Sequence, residues 1–263
     1  ALCGGSVIPA LFPFLVVSRL FVATGSAAAL GQLLAPLTRR MLGVSGPGGT
    51  AVLLGLLGGY PVGARTAIEL YQNGQCSRTE AERLLAFCNN SGPAFILGVV
   101  GTGIFASSRA GLLLYLAHIA ASLCVGLLFR FYRPGEGPRP GRHAAPQFQA
   151  ASFPVAFTHS ITGALSSTLN ICAFVLFFTV LIRMLFLSGV MGALAGGAAA
   201  LLSPLGLDQA WAQRLITGLL ELSSGVSSLT GAGTVTGRLS MAAFMLGWAG
   251  LSVHCQVLAF LGD

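Results

Sequence analysis

Lysine is absent from this chain, so that all 14 basic residues are arginine. Charge of either sign is scarce, at 8% of 263 residues, and only seven residues are acidic. So few ionic groups cannot clothe a water-soluble surface. With 54% apolar residues and a mean hydropathy of +0.82, the chain reads as an all-α, multi-pass membrane protein. Its net charge of +7 comes from a few loops and not from a nucleic-acid-binding face; the positive-inside rule accounts for it. The cysteines (Cys3, Cys76, Cys88, Cys124, Cys172, Cys255) are scattered, with no CxxC and no histidine at ligand spacing. Neither a zinc site nor a disulfide framework is indicated, and most read as small apolar fillers. The Gly-Ala run at 192–200 is followed by no GK[ST], which excludes a phosphate loop and leaves close helix packing. No nucleophile and base pair or metal set is evident, so an enzyme is the least favoured class and no cofactor is called for. There is no initiator Met and no charged leader, and the chain stops just after an apolar run. It is expected to be a piece of a longer protein.

What the chain does have is a set of interrupted apolar segments. In 84–103, LLAFCNNSGPAFILGVVGTG, apolar residues flank Asn89-Asn90-Ser91-Gly92-Pro93. Pro93 removes a backbone donor and biases Gly92 away from helical geometry. In hydrocarbon the freed carbonyls cost several kcal/mol each unless protein or water meets them. A break carrying two carboxamides and a hydroxyl belongs at a buried, hydrated site; a proline kink satisfied by neighbouring helices is the plainer alternative.

Segment 7–34 is long enough to cross a bilayer about 30 Å thick, and contains Arg19, which is expected to face the protein interior or to snorkel. Segment 50–73 is split by Gly58-Gly59-Tyr60-Pro61-Val62-Gly63 into flanks too short to span. It is expected to form a re-entrant helical hairpin, against one kinked spanning helix. With the hairpin returning, 84–103 crossing and 111–131 crossing back, Arg39, Arg40, Arg78, Arg83, Arg130, Arg133, Arg139 and Arg142 share one face, and Arg109 is a weak exception. Ser77 followed by Thr79-Glu80-Ala81-Glu82 reads as a helix start at the membrane surface. Residues 133–150, rich in Pro, Gly and Arg, read as a cytoplasmic linker in which His143 is solvated.

The second half repeats the first. A spanning helix at 166–187 is followed by 189–205, whose LLSPLG echoes LLAPLT at 33–38. Segment 215–237 is interrupted at Glu221-Leu222-Ser223-Ser224-Gly225, and 240–262 is broken near Ala249-Gly250-Leu251-Ser252. The expected organisation is a first repeat over 1–132 (hairpin 50–73, broken helix 84–103) and a second over 151–263 (hairpin 215–237, broken helix 240–262). An odd number of crossings separates the copies, so they are expected to be inverted.

Inverted repeats with paired broken helices are the sequence pointer to a secondary transporter with a mid-membrane site. Half-helices starting near Val62 and Ala94 would aim positive ends at the centre, which suits an anion. Arg65 lies one turn beyond the first break and Glu221 at the matching one. Either the two pair with each other, or Arg65 meets a substrate carboxylate while Glu221 couples a proton or Na+. The candidate substrate residues are Tyr60, Arg65, Asn89, Asn90, Ser91, Ser223, Ser224, Ser252, His254 and Gln256. His254 either binds substrate or a proton, or is bonded to a backbone carbonyl. His118 and His159 read as structural.

GYPVGAR at 59–65, NGQCSRTEAERLLAFCNNSGPAFILG at 73–98, IPALFPF at 8–14 and GLSVHCQVLAF at 250–260 together resemble the YlbJ/SpoVV family of sporulation integral membrane proteins. That family falls within the wider Gate, or nucleoside-recognition, group, with concentrative nucleoside transporters, the membrane part of ferrous-iron transporter B and the spore maturation proteins. The resemblance implies a protein of the outer forespore membrane that moves dipicolinic acid, a planar dianion, toward the forespore. It also implies a further spanning helix beyond residue 263. Partners are then a small anionic solute and the lipid bilayer, with the oligomeric state open. Two alternatives stand beside this: a carrier of nucleosides or another organic solute, and a non-transporting scaffold or gate.

Overall fold

The computed structural model describes residues 8–133, 152–206 and 208–259. The described residues are helical throughout and include no strand. In chain order they form α1 (Ile8–Ala23), α2 (Ser26–Leu42), α3 (Gly46–Gly58), α4 (Val62–Gln72), α5 (Arg78–Phe87) and a π-helix (Ala94–Ile104). There follow α6 (Ser108–Phe129), α7 (Phe153–Leu187), α8 (Val190–Leu202), α9 (Gln209–Leu220), α10 (Leu222–Ser227), α11 (Val235–Trp248) and α12 (Leu251–Ala259).

Among the described residues three stretches are long and apolar enough to cross a membrane, Ser108–Phe129, Phe153–Leu187 and Val235–Leu258, and the bent pair Ala29–Leu42 with Gly46–Gly58 makes a fourth if it is one span. At 35 residues, α7 is about 50 Å long and begins thirteen residues before the expected 166. Along it Leu165, Leu169, Leu176, Phe177, Val180 and Met184 stand exposed, a surface that lipid can cover and water cannot.

The expected single crossing at 7–34 is instead two helices. Gly25 takes a left-handed φ of 77°, and the Thr24 hydroxyl bonds back to the Leu20 carbonyl, so α1 stops and α2 turns away. The α2–α3 pair is then bent by 92° across a short break. Gly43, left-handed, ends α2, and Ser45 caps α3 by accepting from the Gly48 N–H.

Helices α3 and α4 fold against each other as a hairpin around Gly59-Tyr60-Pro61, with a cis bond between Tyr60 and Pro61. Their backbones pack without side chains between them: a Cβ on Gly63 would lie 2.5 Å from the Gly55 Cα and 1.9 Å from the Cys88 carbonyl oxygen. The hairpin is thus sealed directly onto the break that follows α5.

The second hairpin has unequal arms. Glu221 alone leaves helical geometry, at φ −145° and ψ 120°, while Leu222 to Gly225, expected to be part of the interruption, begin α10. A Cβ on Gly225 would lie 2.2 Å from the Gly218 Cα, and Arg214 Nε donates to the Ser228 carbonyl at 3.2 Å, so the chain folds back on α9. After α10 the return arm continues as turns, up to Thr234, which caps α11.

The expected helix at 84–103 is likewise divided. Its first part belongs to α5, which starts at Arg78 behind a Ser77 cap, and its second is the π-helix beginning at Ala94. The π-helix packs on α6 through glycines, since a Cβ on Gly101 would lie 2.6 Å from the Gly111 Cα. In the second half, left-handed Ala249 and Gly250 separate α11 from α12.

Four of the arginines, Arg78, Arg83, Arg130 and Arg133, gather at one corner. Buried Arg83 donates to the carbonyls of Gly43, Tyr132 and Arg133, closing the end of α6 onto the end of α2. Glu82 pairs with Arg78 at 2.9 Å and Arg133 at 3.6 Å, while the Arg130 side chain lies against Gly43. Arg139, Arg142 and His143 lie outside the described residues.

Candidate functional site

Breaks and tips converge on one cavity. It is about 60 Å3 and is lined by Tyr60, Gly92, Glu221, Ser223, Ser252 and Gln256, with Phe14, Leu15, Ile171 and Val175 as its apolar wall. Each hairpin supplies its tip and each broken helix its gap.

Local sequence explains the meeting. A Cβ on left-handed Gly59 would lie 2.9 Å from the Gly92 N, so the first tip touches the first gap backbone to backbone. A Cβ on left-handed Gly250 would lie 2.9 Å from the Leu222 N, which gives the same contact in the second half. The halves also cross-link. The Tyr60 hydroxyl donates to the Leu246 carbonyl at 2.9 Å, so the first tip is tied to α11. Leu222 and Val226 behind the second tip share a core with Phe95, Ile96 and Val99 of the π-helix.

Four helices begin at or beside this cavity: α4 at Val62, the π-helix at Ala94, α10 at Leu222 and α12 at Leu251. Their free N–H groups and dipoles favour negative charge. One carboxyl group is already there. Glu221 is fully buried, and its Oε1 accepts from the Ser223 N–H at 2.8 Å while Oε2 accepts from the Ser224 N–H at 2.6 Å. The pairing of Arg65 with Glu221 entertained from the sequence is corrected by this geometry. Arg65 makes an ion pair with Glu69, one turn along α4, at 2.7 Å, in a different cleft.

The remaining candidates divide. Ser252 Oγ and Gln256 Oε1 are buried without a hydrogen-bond partner, beside Glu221 in the cavity wall. Asn90 donates to the Phe87 carbonyl at 2.8 Å and so closes the end of α5. Asn89 and Ser91 lie in the same gap behind Gly92, with Asn89 Oδ1 and Ser91 Oγ buried and unpartnered. Ser224 Oγ faces Thr179 of α7 at 3.3 Å. His254 is exposed, bonded to the Gly250 carbonyl at 2.7 Å and packed on Trp248.

Two further residues complete the first gap: His118, which read as structural, and Ser122, which did not stand out in the sequence. His118 Nε2, on α6, accepts from the Ser91 N–H at 3.0 Å, and Ser122 donates to the Phe87 carbonyl at 2.8 Å. These contacts satisfy the backbone groups that the break frees. Glu80, in the helix start that Ser77 caps, is buried and accepts from the Ser45 N–H, joining α5 to the start of α3. Among the described residues no cluster of His, Cys, Asp or Glu has the makings of a metal site.

An all-helical membrane protein with broken helices around a largely apolar cavity that holds a few polar side chains is the class these observations define. The family model described as Gate, nucleoside recognition, matches residues 5–133. The sporulation integral membrane protein YlbJ of Bacillus subtilis (strain 168) is 32% identical over 279 aligned positions, covering 98% of this chain and 67% of that protein. The chain belongs to the YlbJ family of sporulation integral membrane proteins, and is a multi-pass integral membrane protein of the bacterial cell. No solved structure matches it.

Proposed function

We propose that the protein is a secondary transporter that carries a small organic anion by alternating access, with dipicolinate as the substrate that the family resemblance points to. The observation that carries this reading is the convergence of two hairpin tips and two helix gaps on the cavity holding Tyr60, Glu221, Ser223, Ser252 and Gln256. Irregular backbone at membrane depth is tolerated where it lines such a site. In this reading the two halves are inverted repeats, their hairpins enter from opposite faces, and the arginine corner faces the cytoplasm.

The dimensions support a gated site. A water molecule needs roughly 10–15 Å3 of such space, so a cavity of about 60 Å3 holds a few waters and no aromatic dicarboxylate. Admission requires a tip to part from its gap, at the Gly59–Gly92 contact or the Leu222–Gly250 contact. The charges support proton coupling. A dianion entering beside the Glu221 carboxyl group would meet like-charge repulsion from its carboxylate form, which a cation taken up there, a proton in this reading, would offset.

The test is uptake of radiolabelled dipicolinate into proteoliposomes, challenged with unlabelled dipicolinate or uridine. Competition by dipicolinate alone supports the proposal. Competition by uridine would select the second reading, nucleoside carriage, which the description of the matching family model favours.

A further inference from the structure

The cavity contains no cationic side chain, yet the proposed substrate is a dianion. Cations are held instead on the other side of the first hairpin tip. A cleft of about 260 Å3 lies there among Arg19, Arg65, Glu69, His159, Ser160 and Ser167. Pro61 and Val62 form its inner wall, while Gly59 and Tyr60, just before them, line the central cavity. The tip is the partition between the two spaces.

Arg19 is fitted into this cleft with some care. Its guanidinium lies across Gly163 of α7, where a Cβ would stand 2.4 Å from Nη1 and 3.0 Å from Cζ. Its Nη2 donates to Ser167 Oγ at 2.7 Å. Arg65 and Glu69 both act electrostatically on this guanidinium, so the three charges belong to one cluster. The Arg65–Glu69 pair is itself about half exposed, 46% and 51%, toward open space. The cleft thus presents two guanidinium groups and one carboxylate, with His159 and the hydroxyls of Ser160 and Ser167 beside them.

We propose that this cleft is a capture site for a small dicarboxylate, which bridges Arg19 and Arg65 and competes with Glu69, before the tip yields and the central cavity receives it. Each guanidinium presents a planar fork that matches one carboxylate, whereas a monoanion can engage only one of them. The inference rests on the carrier reading for its sequence of events, but not for the binding itself.

Calorimetry on the purified chain in detergent, with dipicolinate, benzoate and inorganic phosphate as probes, tests it. Arg19→Gln and Arg65→Gln should each weaken dipicolinate binding about tenfold or more, the loss expected for a charge-assisted contact. Gly163→Ala, which displaces Arg19, should act in the same direction. Glu69→Gln should tighten binding severalfold by removing the competitor, a gain that damage to the fold would not produce. Wild-type affinity in Arg19→Gln, Arg65→Gln and Glu69→Gln alike, with uptake intact, overturns the capture site and leaves the carrier standing. Arginine-dependent binding with no uptake by the wild type overturns the carrier and leaves the capture site. Equal affinity for phosphate or benzoate overturns the dicarboxylate assignment.

Discussion

Replacing Glu221 by Gln separates the two roles that the geometry gives this side chain. The carboxylate accepts two backbone N–H groups at the start of α10, one through each oxygen, in a buried setting. Hydrogen bonds to a charged group contribute about 1.5–3 kcal/mol each, and neutral ones about 0.5–1.5 kcal/mol. A glutamine keeps one acceptor, now neutral, and turns an NH2 toward the other N–H. The expected loss is therefore about 2–4 kcal/mol, which lowers the unfolding midpoint of a chain this size by roughly 5–15 °C. Because glutamine also imitates the protonated carboxyl, surviving Glu221→Gln protein should exchange dipicolinate across liposome membranes but gain nothing from a pH gradient. The assays are thermal unfolding in detergent and uptake with and without the gradient. An unchanged midpoint would refute the capping argument, and uptake that still follows the gradient would refute the coupling argument.

Other expectations concern packing and pH. Gly63→Ala places a Cβ 1.9 Å from the Cys88 carbonyl oxygen, so it should abolish accumulation of folded protein. Gly192→Ala, with nothing within 4 Å, should be neutral or gain about 0.5–1 kcal/mol, and expression with gel-filtration homogeneity compares the two. At the arginine corner two carboxyls shift in opposite senses. Burial raises Glu80 above the ordinary glutamate value against its bonds to Ser45, so its contribution is full below that ordinary value and declines as pH rises through the raised one. Glu82 is lowered first by its hydrogen bond to Arg78, so its contribution is full above the ordinary value and is lost as pH falls through the lowered one. Unfolding midpoints followed across pH should lose the first slope in Glu80→Gln and the second in Glu82→Gln.

What the sequence made legible follows from how each feature is encoded. Gly58-Gly59-Tyr60-Pro61 and Asn90-Ser91-Gly92-Pro93 punctuate apolar runs with residues that disfavour helix, so both interruptions and the starts at Val62 and Ala94 could be placed. The turn at Thr24-Gly25 was hidden because one glycine in an apolar run predicts little; only the structure shows its left-handed φ. The π-helix leaves no such mark, because its glycines suit many packings.

At the site, the approach of each tip to a gap was readable from the repeated order of elements, whereas side-chain direction was not. Arg65 lies one turn past Val62, and its helix turns it toward α1 and α7 and away from Glu221. Glu80 follows a surface-like cap, yet its burial depends on Ser45, which lies 35 residues earlier. Pairings of that range are set by packing and not by local pattern.

The central claim is that a small dianion passes through the cavity between the tips and gaps, helped by a proton on Glu221. Dipicolinate accumulation in proteoliposomes, measured with an imposed acid-outside gradient and without one, tests it most directly. The account predicts concentration above the external level under the gradient and only equilibration in its absence. Entry no faster than into protein-free liposomes under both conditions would contradict it.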